Sequence, residues 1–100
     1  MSKGYLIAFV KVKDANAFAS YAKAVGPILK SFDAKMVVAA PGDIRETANG
    51  AIQSGSKTVM IEFESFNQAK AFYDTPEYQE AIKLRIDNSD STLVLAPGVE

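Results

Sequence analysis

Residues 57–85 read KTVMIEFESFNQAKAFYDTPEYQEAIKLR. The stretch opens as a strand over Lys57 to Phe63. Val59, Ile61 and Phe63 fall on one face, and Thr58, Met60 and Glu62 on the other. Ser65 then opens a helix with Gln68 at the capping-box position, and Phe66, Ala69, Phe72 and Tyr73 form its apolar side. Asp74 ends that helix. Thr75 caps a third helix with Pro76 at its first position, where a missing N–H costs little. Tyr78, Ala81, Ile82 and Arg85 share one side of it.

Upstream, Gly4 to Val12 predicts a strand with Tyr5, Ile7 and Phe9 on one face and Leu6, Ala8, Val10 and Val12 on the other. Both faces are apolar, so something must cover each side. Asp14 caps a helix that runs to about Lys30, with Phe18, Tyr21, Ala22, Val25, Leu29 and Phe32 as its stripe. Gly26-Pro27 predicts a kink or break inside it, or an end at Val25. Asp33-Ala34 is a turn. Lys35 to Ala40 is a second strand, with Met36 and Val38 opposite Val37 and Ala39. Pro41-Gly42 interrupts this strand, and Ile44 and Glu46 could continue it. Ala48 to Ser56 is a loop with a turn signal at Asn49-Gly50 and a flexible composition at Ser54-Gly55-Ser56. Downstream, Asp87 to Asp90 is a turn, Thr92 to Ala96 is the last strand, and Pro97-Gly98 stops it.

The order is β-α-β-β-α-β with an extra short helix, a pattern of the α+β class. It predicts one domain over residues 1–100, a ferredoxin-like four-stranded antiparallel sheet with helices on one face. The second sheet face also carries apolar groups, some combination of Val10, Met36, Met60 and Leu93 or their alternates. A homodimer packed sheet to sheet is the simplest cover, and a monomer with an exposed patch is the alternative.

The 100 residues are 48% apolar and carry a formal charge of −1, with 11 basic and 12 acidic side chains. Nothing in that balance marks a nucleic-acid or membrane partner. There is no cysteine, which removes disulfides and thiolate chemistry, and no histidine, which removes Cys/His zinc sites and an axial-histidine haem. No metal and no cofactor is implied. MSKGYLIAFV is too short an apolar run for a signal peptide, so the expected location is cytoplasmic.

Several segments together resemble a known family. They are Gly4-Tyr5, Phe18-x-x-Tyr21, Gly26-Pro27, Ile61-Glu62-Phe63, and Tyr73-x-Thr75-Pro76-Glu77-Tyr78 followed by Leu84-Arg85. The chain is similar over residues 4–96 to the family called domain of unknown function 1330. The resemblance implies the dimeric α+β barrel superfamily, in which two ferredoxin-like subunits pair their sheets. It also implies ligands held between sheet and helices or in the barrel interior. The superfamily includes muconolactone isomerases, haem-degrading enzymes and cofactor-independent monooxygenases. Family members often carry Gly-Gly after the first helix and Arg-Gly-Gly after the second strand. Here those places read Asp33-Ala34 and Ala39-Ala40-Pro41-Gly42.

Two charged residues stand out as candidate catalytic groups. Glu62 is the one acid in an apolar strand; desolvation would make it a base, and a salt bridge to Arg85 is the structural alternative. Arg85 could clamp a carboxylate or an enolate, or pair with Glu62, Glu77 or a carbonyl. Tyr5, Tyr21, Tyr73 and Tyr78 could line a ligand pocket or serve as core residues. The expected function is therefore a homodimer that binds a small anionic or aromatic ligand, with cofactor-independent proton transfer if it is catalytic. The alternative is a dimerisation or interaction module without a ligand.

Overall fold

The computed structural model describes residues 2–46 and 52–99. The elements in chain order are β1 (Gly4–Val12), α1 (Ala15–Ser31), β2 (Lys35–Pro41), β3 (Lys57–Phe63), α2 (Phe66–Tyr73), α3 (Pro76–Asp87) and β4 (Ser89–Pro97). One antiparallel sheet has the order β2-β3-β1-β4. This is the ferredoxin-like arrangement.

Alternation along the central strands sorts the side chains. Leu6, Ala8, Val10, Ile61 and Phe63 face the helices and are buried. Phe63 stacks on Phe72 at 5.2 Å, and Phe72 on Tyr78 at 4.6 Å, which ties β3 to α2 and α2 to α3. Gly4 is required where β1 passes beneath the start of α2, because a side chain there would run into the backbone of Ser65 and Phe66.

All three predicted helix caps form. Asp14, Ser65 and Thr75 accept the N–H of Ala17, Gln68 and Tyr78, each at 3.1 Å. The break at Gly26-Pro27 and the end at Val25 are corrected: α1 runs through both to Ser31. Pro27 is exposed, so its ring and the freed carbonyl one turn back meet solvent. Beyond it, Ile28, Leu29 and Phe32 still anchor the helix on the core. Ala22 is exposed, and Ile28, outside the expected stripe, packs against the core. Asp33 has φ 53°, the left-handed conformation that glycine adopts without steric cost, and the Ala34 N–H closes the helix end on the Leu29 carbonyl.

Four further expectations change. A bulge between Met36 and Val38 breaks the alternation of β2, so Val38 pairs with Met60 and Met36 with Ile61, on opposite faces. Ile44 and Glu46 do not continue the strand. The segment 87–90 is not a turn: α3 ends at Asp87, Asn88 caps it, and β4 starts at Ser89. The Asn88 side-chain amide and the Ser89 hydroxyl close the helix end on the carbonyls of Leu84 and Arg85, which makes the change of direction abrupt. Finally, Val10 and Leu93 belong to the helix side. The bare face carries Ile7, Phe9, Met60 and Val94. The Asn49-Gly50 turn signal lies outside the described residues. Ser54–Ser56 is held in place: Lys11 donates to the Ser54 carbonyl at 2.9 Å, and the Ser56 hydroxyl to the Gln53 carbonyl at 2.6 Å.

Candidate functional site

Helical spacing carries Tyr78, Ala81, Ile82 and Arg85 to the inner side of α3, and all four are buried. Only 5% of Arg85 is exposed. Its Nη1 donates to Ser91 Oγ at 2.6 Å. Its Nε has no acceptor, and among the described residues no carboxylate lies within ion-pair distance. A guanidinium does not shed its proton inside a protein, so this is a buried positive charge with no counter-ion among the described residues. Such a charge carries a desolvation penalty of several kcal/mol, on the order of what a bound anion would return.

Beside the guanidinium, the hydroxyls of Tyr21 and Tyr78 lie 2.9 Å apart and share one hydrogen bond, in which either can donate. Burial, and then the Tyr78 hydroxyl, push the Tyr21 phenol far above its ordinary value, with Arg85 opposing the shift. Tyr21 therefore stays a neutral donor or acceptor beside Arg85.

Arg85 opens on a cleft of about 510 Å³. Tyr73, Ile82 and Ile86 form its helix wall, and Ser89, Asp90, Ser91, Thr92 and Leu93 its floor. Consecutive strand residues point to opposite faces, so a hollow lined by all five positions wraps around the outer edge of β4. It ends on the bare face at Phe9 and Ile52. Asp90 is the one carboxylate in this lining. Gln53 donates to it at 3.0 Å and Lys13 pairs with it at 3.1 Å, and both hold its carboxyl below the usual range.

The family model "Domain of unknown function (DUF1330)" matches residues 3–99. The chain belongs to this family. No protein of curated function matches it. Among solved structures it is similar to RPA0582 from Rhodopseudomonas palustris, a protein of unknown function. Identity is 20% over 99% of this chain and 84% of that one, with a TM-score of 0.72. A dimeric ferredoxin-like protein of unknown function from Thermobifida fusca is 12% identical over 97% and 92% of the two chains, with a TM-score of 0.61. SnoaB, a cofactor-independent oxygenase from Streptomyces nogalater, is 11% identical over 100% and 96%, with a TM-score of 0.65. At these identities the likeness is one of fold.

In this DUF1330 chain the six residues singled out from sequence divide into two groups. Arg85 and Tyr73 line the cleft, and Tyr21 and Tyr78 stand behind Arg85. Tyr5 and Glu62 sit on the other side of the sheet, paired across β1 and β3, with the Tyr5 hydroxyl donating to Glu62 Oε2 at 3.2 Å. Lost hydration, and then that carboxylate, raise the Tyr5 phenol above its ordinary value. No ion pair joins Glu62 to Arg85, because strand alternation puts the sheet between them. Tyr78 is fully buried, a core residue that positions rather than touches. Sequence reasoning missed Ser89 and Ser91. Their signal was present: small polar residues alternating into the core side of β4, opposite Val12 and Val10, shortly after an arginine on a buried helix face.

Proposed function

We propose that this protein binds a small organic anion, with its carboxylate or enolate oxygen on Arg85 and its apolar body along Tyr73, Ile82, Ile86 and Leu93. The observation that carries this reading is a buried guanidinium in the lining of an open cleft, with no carboxylate within ion-pair distance among the described residues. A cleft of about 510 Å³ is within the range that holds small organic ligands. The ligand-free interaction module is less well supported, because a space packed solid around Arg85 is what it requires.

We further propose that the working unit is a homodimer joined through the bare sheet face. That face presents Ile7, Phe9, Met60 and Val94, and a protein of the same fold is described as dimeric. If the site is catalytic, Arg85 suits the stabilisation of a developing oxyanion without a cofactor, a reading SnoaB supports by its fold and description. Glu62, considered as the base, does not reach this cleft within its own subunit. Asp90 is held ionised by Gln53 and Lys13 and makes a weak base. Binding and charge stabilisation are therefore the roles assigned to this cleft.

Isothermal titration with 2-naphthoate, an aromatic carboxylate, tests the reading. The native chain binds, Arg85→Met loses at least about tenfold in affinity, and the neutral 2-naphthamide binds no better than the variant does. Unchanged affinity in Arg85→Met would refute it.

A further inference from the structure

β4 lies at one border of the sheet, next to β1 alone. It pairs with β1 in one unbroken register over nine residues, from Ser89 opposite Val12 to Pro97 opposite Gly4. The strand at the other border, β2, is broken by its bulge. Alternate residues of an edge strand turn their N–H and C=O groups away from the ladder. Among the described residues, the main chain of Ser89 to Leu93 makes no hydrogen bond on that outer side. These same five residues floor the cleft at Arg85. The cleft is thus bounded by free main-chain donors and acceptors along β4 and by the side chains of α3 above them. Its two ends differ. Toward Ser89 the strand stops in the turn from α3, where the Ser89 hydroxyl bonds the Arg85 carbonyl. Toward Leu93 it continues as strand to Pro97. Arg85 stands near the closed end, bonded to Ser91, and Ile82 follows one helical turn further from it.

We infer that the anion taken by this cleft is the C-terminal carboxylate of an extended peptide, which adds to β4 as one more strand. The inference rests on the reading of Arg85 as an anion site and names the class of ligand. A buried cation and a free strand edge in one cleft ask for two things at once, a negative group and a backbone that can pair. A compact aromatic acid answers Arg85 and leaves the edge unmatched. A peptide tail answers both, and an internal segment of a chain brings no carboxylate to the cation. With the carboxylate at Arg85, the peptide can run only toward Leu93, because the other end is closed by the turn. From Ser91 to Leu93 the edge offers room for about three residues, at about 3.4 Å each. Strand alternation sends the side chains of those residues to opposite faces. On the helix side they meet Ile82 and Tyr73, which call for an apolar side chain, and on the other side they pass Thr92.

The test is isothermal titration of the full chain with three compounds. They are the peptide acetyl-Val-Thr-Val-Leu as its free acid, the same peptide as its C-terminal amide, and acetyl-leucine, which has the carboxylate without a strand. The free acid is expected to bind tightest, with the amide and acetyl-leucine each weaker by about tenfold or more. Arg85→Met should bring the free acid down to the affinity of the amide. Two further peptides, N-methylated at adjacent amides, read the strand pairing itself. One methyl group should cost about fivefold or more and its neighbour should leave affinity unchanged, because only alternate N–H groups face β4. A free acid no tighter than acetyl-leucine, or equal losses from the two methyl groups, overturns the added strand. If 2-naphthoate still loses affinity in Arg85→Met, the anion site stands without it. An amide as tight as the free acid overturns the capture of a C-terminus, again without touching the result for 2-naphthoate. Full affinity of Arg85→Met for both 2-naphthoate and the peptide removes the anion site and the inference together.

Discussion

The two faces of one sheet use the same strands and similar apolar side chains, yet they end in different states. Toward the helices, Leu6 and Ile61 are each 4% exposed. Toward the other side, Ile7 and Met60 pair in the adjacent register and stay half-buried. Each face also holds a tyrosine beside a charged group. Inside, Tyr21 and Tyr78 back Arg85; outside, Tyr5 meets Glu62. The difference is water. On the covered side a charge keeps the cost of lost hydration, and the Tyr21 phenol stays protonated. On the bare side solvent answers both, and the same pairing of residue types carries little energy.

That contrast is most sharply tested where burial is deepest. Leu6→Ala is expected to cost about 2–5 kcal/mol, because it opens a cavity in a packed layer. Ile7→Ala, one residue on, should cost the monomer about 1 kcal/mol or less and weaken self-association instead. Urea unfolding at several protein concentrations separates the two, and equal losses at low concentration would show that the faces are not different. The next effect is alkaline. Tyr21 is held protonated in the fold, so its contribution is full below the unfolded phenol value near 10 and falls away as pH rises above it. The slope is about 1.4 kcal/mol per pH unit. Tyr21→Phe should remove that part of the slope in melts between about pH 9 and 11. An unchanged slope would mean the phenol is hydrated.

A smaller effect distinguishes the two charges. Arg85→Met is expected to leave stability within about 1 kcal/mol of native or to raise it, because a buried cation with no counter-ion among the described residues is exchanged for an unbranched apolar side chain. A loss of about 3 kcal/mol or more by thermal melting would reveal a hidden ion pair. Glu62→Gln should change stability by no more than about 0.5 kcal/mol, because the amide keeps an acceptor for the single 3.2 Å hydrogen bond from Tyr5.

Where local rules act alone, the fold was legible. The Asp14, Ser65 and Thr75 caps, the alternation of β1 and β3, and the inner face of α3 all follow from short-range pattern. Where two elements must agree, it was not. The start of β4 at Ser89 depends on how α3 is closed by Asn88 and Ser89, and the four polar residues there read as a turn. The bulge at Val37 depends on β3 as a template. The candidate site followed the same division. Arg85 and its two phenols could be named from spacing and residue type. The separation of Glu62 from Arg85 could not, since it needs the sheet's sidedness and the helix's position together. That the hollow wraps an edge strand has no local signature at all.

β2 has a consequence of another kind. It is the outermost strand opposite β4 and is exposed along its whole length, with Met36 and Val37 more than half open to water. Such a border invites a stray strand to add on, and repeated addition is how fibrils grow. The irregularity between Met36 and Val38 interrupts the ladder, Pro41 has no N–H to offer, and Lys35 charges the other end. A foreign strand finds only a few consecutive rungs before it loses register. The feature that makes β2 the most irregular strand of the sheet is thus its defence against uncontrolled polymerisation.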